Sequence, residues 1–467
     1  VSSISLIIDK RPSLKTLATT ESWCVGLFLF TLGFKLSIAY LFFFPGLICW
    51  LLQARSHKDL ASYEQLRLHA PLLAFATIAL TSAPFGVNPQ KSISSVLMFS
   101  IFSLTPILVA RRWRDLGTIP CFAPILYGQS LAALNALCAA ATDKRIPRFL
   151  LGEVTQAGQF STAIILCYGI VTLGSPNSPN RGQLRNAWPA AAIIGGGLPA
   201  VFLQGFPIVR AVCLTICLFV CAVESIRLVR DRTAGQVLQF AKAVSLPLLM
   251  TTLISSLKRG PIIGAIVGIG ALSLKRSRTF FLLALTIPTL VILAIPAIHD
   301  RFAVALDHFF ISGGRNTIWQ IGWELSCRFP LGIGFKNSSI LRDFSSEVPL
   351  ELTHFHNNAL NLLVETGWIG LSLYAYWIVT LLRSSAKKGI TYSAINTAIV
   401  LGWQTAGLVE YNIGDKEVLL LIYATLAVVY GSSLSTSQTP ETSPNTLNPA
   451  NEDPNPLQAP HQSAPTI

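Results

Sequence analysis

The chain has 467 residues, 52% of them hydrophobic and only 12% charged, with a mean hydropathy of +0.55. Soluble domains carry about 25% charged residues, so the composition excludes two or three ordinary soluble domains. Apolar runs near the roughly 20 residues needed to cross a bilayer recur along the chain, from Trp23 to Tyr430. The expected class is an all-α polytopic membrane protein.

In chain order, residues 1–22 are expected to form a cytoplasmic N-terminal segment. No cleavable signal is expected, because Trp23–Leu52 is not followed by a small-x-small site. Spans are expected near 23–34, 36–53, 69–84, 93–110, 118–141, 157–174, 188–204, 207–226, 239–255, 260–274 and 279–298, forming a bundle over 23–298. A long hydrophilic stretch, 299–356, follows on the external side. Its Trp319, Trp323 and "NTIWQIGWELSCRF" predict short amphipathic helices rather than a structureless loop. Residues 357–433 return to the membrane, with spans near 361–382, 391–409 and 417–433, for 12–14 transmembrane helices in all. The Pro/Ser/Asn-rich segment 434–467 is expected to be a disordered cytoplasmic tail.

The net charge of +13 is not spread evenly. Seven basic clusters, among them Arg111/Arg112/Arg114, Lys275/Arg276/Arg278 and Arg383/Lys387/Lys388, hold 21 of the 35 lysines and arginines and fall on alternate loops. The positive-inside rule assigns those loops to the cytoplasm. The charge therefore orients the chain in a lipid bilayer, and nucleic acid is not an expected partner. Cys213, Cys217 and Cys221 recur every fourth residue and read as small packing residues on one helix stripe.

Basic residues on the opposite face are the unusual ones: Arg145 and Arg148 in "TDKRIPRFLLGE", Arg210 in "QGFPIVRAV", Lys258 and Arg259 in "SSLKRGPIIG", and Arg315 in "SGGRNTIW". A lone boundary arginine commonly snorkels to lipid headgroups. Several on one face can instead converge as guanidinium forks on a diphosphate. On that same face His356 falls where the chain re-enters the membrane, in "HFHNNALNLLVETGWIGL". An imidazole there is either a hydrogen-bonded cap or a proton acceptor for an attacking hydroxyl. His354 and His356 are expected on opposite faces of an extended strand, with no HxxxH motif or acid pair nearby, so no metal is expected. Asn357 lies on the polar edge of the following helix, Glu365 lies nine residues beyond His356, and Gly367 and Gly370 could bend that helix or allow close packing.

Many apolar spans, a long late external loop, "GGRNTIW", "FPLGIG" and "HFHNNALNLLVETGWIGL" together resemble the O-antigen ligase and polymerase superfamily. "SSLKRGPIIGAIVG" is similar to the Ser-x-x-Arg-Gly helix start found in that superfamily. The layout covers about residues 20–433, while the specific motifs are confined to about 255–375. The resemblance implies a GT-C-like helical glycosyltransferase of the bacterial inner membrane, with its active site on the periplasmic face; the loop charges put both termini in the cytoplasm. It implies an undecaprenyl-pyrophosphate-linked glycan as donor and lipid A-core or another glycan as acceptor, with no metal and no cofactor. By motif, His356 is the functional histidine, Arg259 the Arg-Gly arginine and Arg315 the loop arginine; Arg210, Arg145 and Arg148 match by sidedness only. His354, Asn357, Glu365 and Lys258 are supporting residues. The stretch "NNAL" lacks the Tyr-Leu pair that many relatives show after the His-Asn. A repeat-unit polymerase remains the nearest alternative, and a secondary transporter is the alternative from another class.

Overall fold

The computed structural model describes residues 14–54, 60–116, 118–142, 153–173, 188–203, 205–231, 234–311, 314–344, 348, 352–386 and 390–436. Arg145, Arg148 and most of the two terminal segments lie outside the described residues. The described residues contain helices and no strand. They are α1 (Leu14–Thr31), α2 (Leu36–Ala54), α3 (Leu60–Ser82), α4 (Pro89–Phe102), α5 (Thr105–Leu116), α6 (Thr118–Thr142), α7 (Glu153–Leu173), α8 (Trp188–Phe202) and α9 (Pro207–Asp231). Next comes α10, made of Ala234–Phe240 and Leu246–Ser255 joined by a π turn at Ala241–Ser245. The remainder are α11 (Arg259–Arg276), α12 (Arg278–Ala294), α13 (Pro296–Phe310), α14 (Arg315–Arg328), α15 (Asn358–Ala386), α16 (Ile390–Ala406) and α17 (Lys416–Thr436).

This is an all-helical polytopic membrane protein. Eight helices among the described residues are long and apolar enough to cross a membrane, and up to nine if the bent pair α12–α13 is one span. Each of the fourteen segments expected from the sequence nevertheless holds a helix. The lower figure reflects length and charge: α8 has 15 residues, α16 has 17, and α11 carries Arg259, Lys275 and Arg276. The span expected at 279–298 ends early, at Ala294, where the chain turns by 97° into α13. Pro296 causes the turn: a residue before proline is pushed out of the helical region, and Ile295 is extended at φ −100, ψ 107.

Two apolar cores hold the bundle together. One gathers the fully buried Phe28, Phe43, Phe102, Trp377 and Tyr423 from α1, α2, α4, α15 and α17. The other gathers Leu137, Phe160, Ile193 and Leu249 from α6, α7, α8 and α10. A smaller third cluster, with Ile318, Leu325, Ile333, Leu341, Phe355 and Val364, seats α14 and the loop after it on the start of α15.

Close packing of α11 on α16 positions the site. Gly260, Gly264 and Gly268 recur every fourth residue, so all three lie on one face of α11. A Cβ at Gly264 would sit 2.6 Å from the Gly402 carbonyl oxygen, and one at Gly260 would sit 2.6 Å from Glu410 Cγ. Small residues at this spacing let backbones approach where lipid supplies no hydrophobic drive between helices. The stripe thus brings the N-terminus of α11 against the segment that follows α16. We predict that Gly264→Ala lowers the melting temperature in detergent by several degrees. Gly195→Ala, in α8 with nothing within 4 Å of the added carbon, should leave it unchanged or raise it, since alanine favours a helix interior by roughly 0.5–1 kcal/mol.

Candidate active site

The motif "HFHNNALNLLVETGWIGL" forms a seam between the 352–357 loop and α15. That helix is broken at Gly367, whose φ of +70 and ψ of −173 are non-helical. Glycine is needed there, because a Cβ would meet the Pro330 carbonyl oxygen at 2.3 Å in addition to the backbone strain. The break leaves Val364 and Glu365 carbonyls without their helical partners, and "FPLGIG" supplies replacements. Ile333 N–H donates to the Val364 carbonyl at 2.9 Å, Gly334 N–H to the Glu365 carbonyl at 3.0 Å, and Trp368 N–H to the Pro330 carbonyl at 3.1 Å. Two motifs 30 residues apart in the chain are therefore one structural unit.

The histidines do not sit on opposite faces of a strand. His356 has a left-handed backbone (φ +50), which turns its ring towards that of His354; the centroids are 4.2 Å apart and edge-on. Such a conformation costs a non-glycine residue about 1–3 kcal/mol, so neighbouring bonds must hold it. Phe355 is fully buried, its carbonyl accepts from Trp319 Nε1 at 2.9 Å, and its N–H donates to Asn361 Oδ1 at 3.3 Å. The His356 N–H donates to His354 Nδ1 at 3.2 Å. That bond makes His354 Nδ1 an acceptor, so neutral His354 carries its proton on Nε2. Asn357 caps α15, accepting from Leu360 N–H at 2.9 Å and donating to the Leu408 carbonyl at 3.1 Å. Its role is thus to staple the seam to the loop after α16, and Asn358 helps by accepting from Ile413 N–H at 3.3 Å.

Two of the sequence-selected arginines come under the influence of Glu410. Arg315, the first residue of α14, donates to the Val409 carbonyl at 2.9 Å. Arg259, the first residue of α11, reaches the Arg301 carbonyl at 3.4 Å. Burial lowers the pKa of both; Arg259 is lowered further by Arg315 and Arg301, and Glu410 acts in the opposite direction on both. Glu410 was not singled out from the sequence, yet it is the centre of the group. Its Oε2 lies 3.8 Å from His356 Nδ1, with the two side chains 20% and 26% exposed. Its signal in the sequence was a rare acid, in "LVEYNIGDK", between the last two spans and on the His356 face.

The remaining sequence-selected residues divide. Glu365 is fully buried and accepts from Tyr411 Oη at 2.7 Å, so it anchors the 410–415 segment from behind. Lys258 is the N-cap residue of α11, its N–H donating to Ser256 Oγ at 3.3 Å. Arg210 is not brought to the seam by any of its described bonds. Its guanidinium donates to the Ala141 carbonyl and, at 3.2 Å, to the Ala200 carbonyl, near the ends of α6 and α8.

Beside His354 and Glu410 lies a cavity of about 260 Å³, lined also by Lys336, Tyr411, Asn412 and Asp415. Lys336 donates to the Gly414 carbonyl at 2.6 Å and stands 4.9 Å from the Tyr411 ring centre. Asp415 accepts from Thr155 Oγ1 at 3.0 Å. Burial first, then His356, pushes His354 down to about 4; burial pushes the Asp415 carboxyl up to about 6. These shifts have opposite linkage signs. From pH 4 to 6.5 the unfolded chain binds the extra His354 proton, so that contribution rises with pH. Between about 3.8 and 6 the folded chain holds the Asp415 proton, so that contribution falls as pH rises. We predict that His354→Gln shifts the pH dependence of the melting temperature towards greater stability at pH 4.5 than at 6.5. Asp415→Asn should shift it the other way.

The geometry can be compared with known proteins. No curated protein matches the chain. Residues 244–375 match the model of the O-antigen ligase family, a stretch that runs from the end of the π turn in α10 through Arg259, Arg315 and His356 to the helix beyond Gly367. By that match, residues 244–375 are similar to the O-antigen ligase family.

Proposed function

We propose that the chain transfers a glycan from an undecaprenyl-pyrophosphate carrier to an acceptor hydroxyl, as a ligase using lipid A-core or a similar acceptor, at the periplasmic face of the inner membrane. The observation that carries the reading is the gathering of Arg259, Arg315 and the His356–Glu410 pair in one partly exposed place. The acceptor oxygen attacks the anomeric carbon as the bond from that carbon to the diphosphate breaks, with inversion. The hydroxyl proton passes to His356, and the electron pair leaves on the diphosphate. With Nδ1 turned towards Glu410, Nε2 is the atom that takes the proton. Glu410 stabilises the imidazolium, and the two guanidiniums stabilise charge growing on the leaving group. The periplasmic assignment rests on the charge asymmetry of the loops.

Against a transporter stands the way the break in α15 is filled. Transporters use unwound backbone carbonyls to coordinate ions. Here the Val364 and Glu365 carbonyls accept from Ile333 and Gly334 of the chain's own loop.

The test is transfer from purified carrier-linked glycan by reconstituted protein with EDTA present. His356→Ala is expected to lose 10²–10⁴-fold in turnover, the usual range for a general base. Normal turnover by this variant, or abolition of wild-type turnover by EDTA, contradicts the reading. Arg259→Ala and Arg315→Ala are each expected to lose about 10²–10³-fold. Arg383→Ala, in the last turn of α15 at the far end of that helix, should stay near wild type. Equal tolerance of all three substitutions would return Arg259 and Arg315 to headgroup snorkelling.

A further inference from the structure

A cavity of about 750 Å³ lies at the far end of α15 from the His356 seam, and faces of α3 and α15 form most of its wall. Arg67, Ala70 and Ala74 of α3 follow one another at spacings of three and four residues, as do Tyr376, Thr380 and Arg383 of α15, so each set shares one helix face. Arg67 falls at the start of the span Gln65–Phe85 and Arg383 at the end of the span Asn358–Ser385, which sets both guanidiniums at the same mouth of the cavity. Behind it Trp377 Nε1 donates to His69 Nδ1 at 3.2 Å, and this buried bond fixes the two faces relative to each other. Ala70 and Ala74 are exposed and too small to close the gap. Among the described residues of the lining none is acidic. Leu373 marks the deep end. It lies ten residues from Arg383, about 15 Å of helix at 1.5 Å per residue, which is half of the roughly 30 Å hydrocarbon core. The cavity thus has a cationic mouth at the membrane boundary and an apolar trough as deep as one leaflet.

We propose that this groove binds one anionic phospholipid, with its phosphodiester between Arg67 and Arg383 and an acyl chain running past Ala74 to Leu373. Guanidinium forks match phosphate oxygens, and the Ser384 hydroxyl, also at the cavity, adds a donor. A lone boundary arginine snorkels to whichever headgroup is near. Two arginines from different helices on one cavity define a place. A soluble anion would leave the apolar trough uncovered, and a zwitterionic headgroup would bring a cation of its own towards two cations. The loop charges assign this end to the cytoplasmic leaflet, the side on which basic pockets between membrane helices hold anionic headgroups. The site is separate from the transfer chemistry and does not depend on it.

The experiment measures lipid binding by the full-length protein, delipidated in detergent. Its melting temperature is followed against added phosphatidylglycerol, phosphatidylcholine or inorganic phosphate, and retained lipid is counted by native mass spectrometry. Wild type is expected to keep one phosphatidylglycerol and to gain several degrees from it, with little effect from the other two. The double variant Arg67→Gln/Arg383→Gln is expected to bind phosphatidylglycerol at least about tenfold more weakly, the loss of a hydrogen bond to a charged group. Ala74→Phe fills the trough from an exposed position, keeps both arginines and should lose the lipid as well; it serves if the double variant is not monodisperse on gel filtration. Equal binding of phosphatidylglycerol and phosphatidylcholine by wild type, or wild-type affinity for phosphatidylglycerol in either variant, overturns the site. Phosphate that protects as well as phosphatidylglycerol overturns the lipid as its occupant. Turnover does not read this site, which lies at the opposite end of α15 from His356.

Discussion

Two arginines of like charge come together in one partly buried place, and the Glu410 carboxylate is the acid that acts on both. Arg259 and Arg315 open two different helices, and each lowers or feels the charge of its neighbours. Glu410 opposes their mutual repulsion and faces His356 at 3.8 Å. Gly260 makes room for it, since any larger residue there would meet its side chain. Remove the carboxylate and the two guanidiniums would keep the Val409 and Arg301 carbonyls but lose the acid that acts on both. Supply a diphosphate and the same guanidiniums would face a stronger anion, with both forks able to bind it bidentately.

Rigid backbone connections hold that arrangement in register. The α15 break at Gly367, the "FPLGIG" loop that fills it and the left-handed His356 form one continuous set of main-chain bonds. Glu365, buried behind them, fixes Tyr411, and the Asn357 and Asn358 amides tie the same segment to the start of α15. His356 and Glu410 face each other across the seam, whereas the asparagines and Glu365 bond the segments on either side of it.

Much of this was legible in the sequence. Apolar periodicity located a helix in every expected span, and the rarity of polar residues in so apolar a chain made the "HFHNNAL" seam conspicuous. The Arg-Gly and Gly-Gly-Arg stretches gave two arginines on which Glu410 acts. Three things were not legible. The bend at Ile295 depended on a single proline at the end of a long apolar run. The pairing of His354 with His356 depended on a left-handed residue that is neither glycine nor asparagine, and no local pattern announces one. Glu410, Tyr411, Asn412 and Asp415 were not singled out, because what brings them to the seam is α11 packing on α16 and not their own neighbourhood. The guanidinium of Arg210, which shares a face with His356 in the sequence reading, donates to carbonyls near the ends of α6 and α8.

The central claim is that His356 and Glu410 act as one unit, and a double-mutant cycle on turnover measures this directly. Carrier-linked glycan transfer would be compared for wild type, His356→Ala, Glu410→Gln and the double variant in proteoliposomes. Residues acting as a unit are strongly non-additive, so the double variant is predicted to be no slower than His356→Ala alone. Losses that multiply across the two positions would show that they act independently and would contradict the account.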